Sequence, residues 1–174
     1  MNILRITDDG RLWAIQYPNQ ESDELTRLFD EWNNPIVLYD FFKKNWNDTT
    51  YFQISSIREA IEKTIEESEV LERIVLDISP DADLDIIFRN LSNYTHELYL
   101  EKAKGKINRS WLRLYAIKLS TGIYIITGGA IKLTATMEER EHTRQELVKI
   151  ENVRNFLIEN GIVDEDGFFD YIKN

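Results

Sequence analysis

The chain has no cysteine, only two histidines and three prolines in 174 residues, and its positive charge is scarce, with 21 Lys+Arg against 31 Asp+Glu. Each shortage narrows what the protein can do. Without thiols there are no disulfides and no thiolate metal ligands. With His96 and His142 as the only imidazoles, a zinc centre would need an unusual set of carboxylates, so neither a metal nor another cofactor is expected. Long apolar runs are absent too: nothing approaches the roughly 18 residues of a membrane span. The opening MNILRITDDGRLW lacks the basic-then-apolar pattern of a secretory signal. A soluble, cytoplasmic protein with no membrane partner is expected.

What is present is ordinary for a folded chain. Hydrophobic residues make up 43% and charged residues 30%, enough for one well-cored domain over residues 1–174. Charge divides the chain into an acidic portion over about 1–80, a basic one over about 81–160, and an acidic tail over 161–174. Residues 97–149 hold ten Lys+Arg against six Asp+Glu, whereas residues 1–96 hold nine against nineteen. Local potential decides which anions dock, so phosphate chemistry is sought in the basic segment.

The pattern of side chains predicts an α+β fold, a small and mainly antiparallel sheet packed against several helices. Asn2 to Thr7 and Arg11 to Tyr17 flank Asp8-Asp9-Gly10, a hairpin signal. Leu25, Leu28, Phe29 and Trp32 share one helical face behind Ser22 as cap. Pro35 opens a second helix with Leu38, Phe41, Phe42 and Asn45 on its inner positions. Ser56 and Glu59 have capping-box spacing ahead of a long acidic helix, and a short helix is expected at Leu84 to Leu91 after Pro80. Strands follow at about 111–119 and 123–127, rich in β-branched and aromatic residues, with Gly128-Gly129 ending the second where the backbone bends or approaches another element closely. Leu112, Leu114 and Ala116 face one way, Arg113, Tyr115 and Ile117 the other. Thr143 with Glu146 predicts another capping box, and Asn160-Gly161 ends that helix. The tail's Phe168, Phe169 and Tyr171 should pack back on the body. Trp13, Trp32, Trp46 and Trp111 read as core.

Two motif-like stretches fail on their own spacing. Asp81, Asp83 and Asp85 match the first three ligands of a calcium loop, but Ile86 replaces its glycine and Ser92 its closing glutamate. The stretch from Gly122 to Lys132 has the wrong glycine spacing for a phosphate loop, and Leu133 follows the lysine where Ser or Thr is required.

The succession of a short helix, a basic turn with Lys102, Lys104, Lys106 and Arg109, then LRLYAIK, a hairpin, GGAIKLT and an EL-containing helix resembles the RelE/ParE-like toxins of bacterial toxin-antitoxin systems. It is most similar to the branch whose last strand ends in a G-x-x-K-K-T-like sequence. The resemblance covers about residues 84–157, and the leading hairpin would supply the family's first strand, with residues 22–78 as an enlarged helical region. It implies a compact sheet backed by helices, an antitoxin protein as partner, and, as in the ribonuclease members, messenger RNA on the ribosome as target. Lys132 stands at the motif's first lysine. Leu133 stands at the second, a departure from the ribonuclease pattern.

Metal-independent RNA cleavage by 2'-hydroxyl attack needs a proton acceptor, stabilisation of the phosphorane's charge and help for the leaving oxygen. Arg113 is the candidate phosphate clamp, because a planar fork on a strand can fix two oxygens. Lys132 adds charge, and His142 is the nearby side chain suited to proton transfer near neutrality. Lys102, Lys104, Lys106 and Arg109 suit the RNA backbone, and Tyr115 a stacked base. The overall acidity opposes this reading. Either the acidic helices cover the basic face, or the scaffold serves as a non-catalytic interaction module, a class that includes gyrase-directed toxins.

Overall fold

The computed structural model describes residues 1–91, 95–98, 110–119 and 122–173. The expected hairpin pairs β1 (Asn2–Arg5) with β2 (Leu12–Gln16). Gly10 takes the positive φ of +72° that its turn requires. The Asp9 carboxylate locks that turn by accepting from Thr7 Oγ1 at 2.6 Å and from the Arg11 amide at 3.0 Å.

Three helices come next. In α1 (Glu24–Trp32) the cap is Asp23, whose carboxylate accepts from the Leu25 and Thr26 amides. Ser22 stands one residue too early, and a carboxylate also complements the positive end of the helix. Asn34 caps α2 (Pro35–Lys44), with Pro35 in its first turn as expected. Leu38 and Phe42 are buried there, while Asn45 turns back to donate to the Phe41 carbonyl at 2.8 Å. A 3₁₀ stretch (Trp46–Phe52) leads to α3 (Ile57–Leu76). Ser56 Oγ accepts from the Glu59 amide at 3.1 Å, whereas the Glu59 carboxylate returns to the Ser55 amide at 2.8 Å instead of to Ser56. Ser56→Ala should therefore cost about 1 kcal/mol, read as a lower urea midpoint at unchanged slope.

The expected helix from Leu84 stops at Ile87 (α4), because Phe88 turns extended and buries its ring against Tyr124. Arg89–Asn90 then form β3, paired with β4 (Thr95–Leu98). The sheet is completed by β5 (Leu112–Lys118) and β6 (Tyr124–Ile131) in the order β1-β2-β6-β5-β4-β3. Every pairing is antiparallel except β2 with β6, so the fold is α+β with a mixed, mostly antiparallel sheet. β6 does not end at Thr127: a register shift leaves Thr127 out of the pairing, and the strand continues through Gly128-Gly129. The close approach expected of those glycines is present, as described below.

Helices cover both sheet faces. Leu12, Leu112, Leu114, Ala116 and Ile126 pack with Leu28, Trp32, Phe42, Leu71 and Val75 of α1–α3. On the opposite face Trp13, Ile15, Tyr115, Ile117 and Ile125 pack with Ile150, Val153 and Leu157 of α5 (Glu141–Glu159) and Phe168 of α6 (Glu165–Lys173). The predicted alternation along β5 thus holds. Burial on both sides explains why β5 and β6 read as near-continuous apolar runs. The tail packs back through Phe168, edge-on to Trp13 at 5.0 Å, and through Tyr171, whereas Phe169 stays exposed.

Thr143 and Glu146 do not form a capping box. Thr143 lies inside α5 and donates to the Met137 and Arg140 carbonyls, while Glu146 is drawn inward by Lys149. Arg140 occupies the cap position and pairs with Asp48 at 2.6 Å, tying α5 to the 3₁₀ stretch. The helix ends at Asn160, and Gly161 takes a φ of +72°. The acidic helices contribute a layer of the core: Trp111 of the basic segment is fully buried and donates to Thr64 Oγ1 of α3 at 3.0 Å.

Candidate functional site

Arg113 and Lys132, nineteen positions apart in sequence, meet in one cavity of about 500 Å³ at the end of the β5–β6 pair, together with Tyr51, Phe52, Ser110 and Thr134. The sheet brings them together: the Lys132 amide donates to the Trp111 carbonyl at 2.7 Å, one step beyond the Leu112–Ile131 pair. Arg113 is held by its own strand. One guanidinium nitrogen donates to the Ser110 and Leu112 carbonyls at 3.0 and 2.9 Å, and Nε lies 3.8 Å from Glu97. Lys132 is half-buried and makes no ion pair among the described residues. Leu133 is buried in the α1–α3 core, which accounts for an apolar residue at the motif's second lysine position.

The remaining candidates separate. Lys102, Lys104, Lys106 and Arg109 lie outside the described residues, and the chain is described again from Ser110, at the rim of this cavity. Tyr115 is fully buried, so it has no face to offer a base. Its phenol is pushed up by that burial, with Glu97 adding to the effect. His142 belongs to a different cavity, where its Nε2 donates to the Ile131 carbonyl at 2.9 Å and its ring meets Phe41 edge-on. Tyr51 was not foreseen. It is 58% exposed and stands edge-on to Phe52. The polar run NDTTYF around it gave no sign that α2 and the 3₁₀ stretch would deliver an aromatic pair beside Arg113.

Asp81, Asp83 and Asp85 do not converge on a cation: Asp85 is engaged by Lys118, with both oxygens at 2.7 Å, and by the Tyr124 hydroxyl. Lys118 and Tyr124 also hold its carboxyl below the usual range.

His142's cavity, of about 370 Å³, adjoins a buried charge cluster that sequence reading missed. Fully buried Glu24 accepts a two-pronged bond from Arg27 at 2.7 and 2.9 Å, one from Lys149 at 2.9 Å and one from Gln20 at 3.0 Å. Lys149 also bonds Glu146 Oε1 at 2.9 Å, and Arg27 reaches Glu31 at 2.5 Å. The two central carboxyls titrate in opposite directions. Burial raises Glu24, but the Arg27 fork and Lys149 outweigh it and leave the carboxyl below its ordinary value. Burial dominates at Glu146, with the negative Glu24 beside it, and pushes that carboxyl up to about 7. Glu146 and Lys149, three apart on α5, and Glu24 and Arg27, three apart on α1, are common helix-surface spacings; only the tertiary fold sets them against each other.

Comparison with known proteins finds no matching family model, no matching curated protein and no matching solved structure. No helix among the described residues is long and apolar enough to cross a membrane.

Proposed function

We propose that the chain is a RelE/ParE-like toxin or toxin relative that holds an RNA phosphodiester in the Arg113–Lys132 cavity. The observation that carries this reading is the meeting of those two cations with an exposed aromatic ring, Tyr51, in a single cavity. Cations that grip phosphate beside a ring that stacks on a base are the combination single-stranded nucleic acid requires. In a ribosome-associated endoribonuclease, Arg113 and Lys132 would stabilise the phosphorane formed by 2'-hydroxyl attack. A small antitoxin is the matching partner, and the cytoplasm the matching compartment.

One observation favours a second reading. The described lining of the cavity holds neither an imidazole nor a carboxylate, His142 being placed elsewhere, so it supports gripping an anion better than moving a proton. On that reading the scaffold is a non-catalytic interaction module, the gyrase-directed type included. Primer extension on a reporter message in a ribosome-containing translation mix separates the two. Codon-phased cuts by the wild type, lost in the Arg113→Ala, Lys132→Ala variant, are expected for the nuclease. An intact message with both proteins would leave the interaction module standing.

A further inference from the structure

The cavity that holds His142 is lined by Leu28 and Trp32 of α1 and Leu38 and Phe41 of α2, which cover one sheet face, and by Gln145 and Glu146 of α5, which covers the other. Helices from opposite faces can share a cavity only where no strand lies between them. The pairing explains the gap: β2 runs beside β6 only from Leu12 to Ala14, opposite Tyr124 to Ile126. Among the described residues, no strand neighbours β6 on that side beyond Ile126.

Side chains substitute for the strand at both ends of this gap. The Tyr17 hydroxyl donates to the Thr127 carbonyl at 2.7 Å, and His142 Nε2 to the Ile131 carbonyl at 2.9 Å. Between them the backbone edge is buried but has no strand paired to it among the described residues. The bond from the Lys132 amide to the Trp111 carbonyl sets the alternation of the antiparallel ladder. Ala130 bonds toward β5, while the N–H and C=O of Gly129 and Ile131 point away from β5 into the gap. Among the described residues no side chain hydrogen-bonds to the Gly129 backbone, although Leu28 and Trp32 pack closely over it. At about 3.3 Å per residue, the stretch from Thr127 to Ile131 accommodates roughly three or four residues of extended chain.

The walls specify what such a chain must carry. On the α1–α2 side Leu28, Trp32, Leu38 and Phe41 form an apolar wall, beside the paired Arg27 and Glu31 of α1. On the α5 side stands Glu146, 6% exposed and with its Oε2 unpartnered. Three carboxylates, Glu24, Glu31 and Glu146, face two cations, Arg27 and Lys149, across the seam, so the fully ionised cluster is one positive charge short. Side chains alternate along a strand, so an inserted segment would aim an apolar residue at one wall and the next residue at the other.

We propose that this gap is a docking slot for a short extended segment of a partner protein, which adds as a strand beside Gly129–Ile131 with an apolar side chain toward α1–α2 and a lysine or arginine toward Glu146. The backbone supplies the pairing and the walls supply the selectivity. The slot is separate from the Arg113–Lys132 cavity, and docking does not depend on that cavity's function.

A bead-bound hexapeptide library, probed with the labelled full-length chain, tests the slot. Recovered peptides are expected to carry adjacent apolar and basic residues and to shift the Gly129 and Ile131 amides in the nitrogen–proton correlation spectrum. They should lose about tenfold in affinity when one pairing amide is N-methylated. Glu146→Gln should weaken an arginine-bearing peptide about tenfold and leave its glutamine homologue unchanged, while Arg113→Ala, Lys132→Ala should bind as the wild type does. No recovered binder, binders that leave both amides unmoved, or indifference to N-methylation would each overturn the proposal. Movement of the same amides with protein concentration alone would also overturn it and assign the slot to a second copy of this chain.

Discussion

Gly129→Ala is expected to lower folding stability by about 3 kcal/mol, the upper end of what overpacking in a well-filled core costs. A Cβ at this position would stand 2.5 Å from the Arg113 carbonyl oxygen and 2.8 Å from Leu28 Cδ1. The first obstacle is backbone of the paired strand, which can retreat only by loosening the β5–β6 ladder next to Arg113. Gly128→Ala meets a different obstacle, the Glu146 carboxylate, whose Oε2 occupies the place a Cβ would take. A carboxylate can rotate away, though the rotation breaks its bond to Lys149. Urea denaturation of a double-mutant cycle separates the two cases. Glu146→Ala should recover a large part of the Gly128→Ala loss, whereas Leu28→Ala should recover little of the Gly129→Ala loss. A Gly129→Ala variant within about 0.5 kcal/mol of wild type, the range of an inconsequential surface change, would show that β5 and α1 do not press on β6 in this way.

These two glycines also mark how far local sequence carries. The cap at Ser56, Pro35 in the first turn of its helix, the Asp-Gly hairpin and the closing Gly161 are read from neighbouring residues, because the forces that place them act within a few positions. Gly128-Gly129 gave a correct sense of close approach but a wrong strand end, since what approaches comes from Leu28 and Glu146, far away in sequence. The same separation governs the candidate sites. Arg113 and Lys132 could be paired in advance because one hairpin joins them. Tyr51 reaches them through a packing arrangement that no local signal encodes. Tyr115 looked like an available aromatic because alternation assigns a face but not what covers it, and here α5 and α6 cover that face. Glu146 reads locally as a capping-box partner of Thr143 and Glu24 carries no local signal, and only the tertiary fold sets them on one lysine, Lys149.

That seam is expected to make stability fall as pH rises from about 5 to 8, by about 3 kcal/mol, since each tenfold difference in proton affinity between the folded and unfolded chain is worth about 1.36 kcal/mol. The Glu146 carboxyl titrates near 4.5 in the unfolded chain and at about 7 in the folded one, so the folded state holds this proton more tightly. Its contribution is full below pH 4.5, declines between 4.5 and 7, and is gone above that. Glu24 works in the opposite sense, because its folded carboxyl lies below the ordinary value; its contribution is present above the unfolded value and lost only in acid. The two windows therefore do not overlap. Glu146→Gln keeps the shape of the side chain and an acceptor for Lys149 while removing the titration. It should flatten stability between about pH 5 and 8 and exceed the wild type at about pH 8. Both proteins should be compared by chemical denaturation at each pH. Parallel curves for the two would show that Glu146 is not the group that carries the proton across the seam.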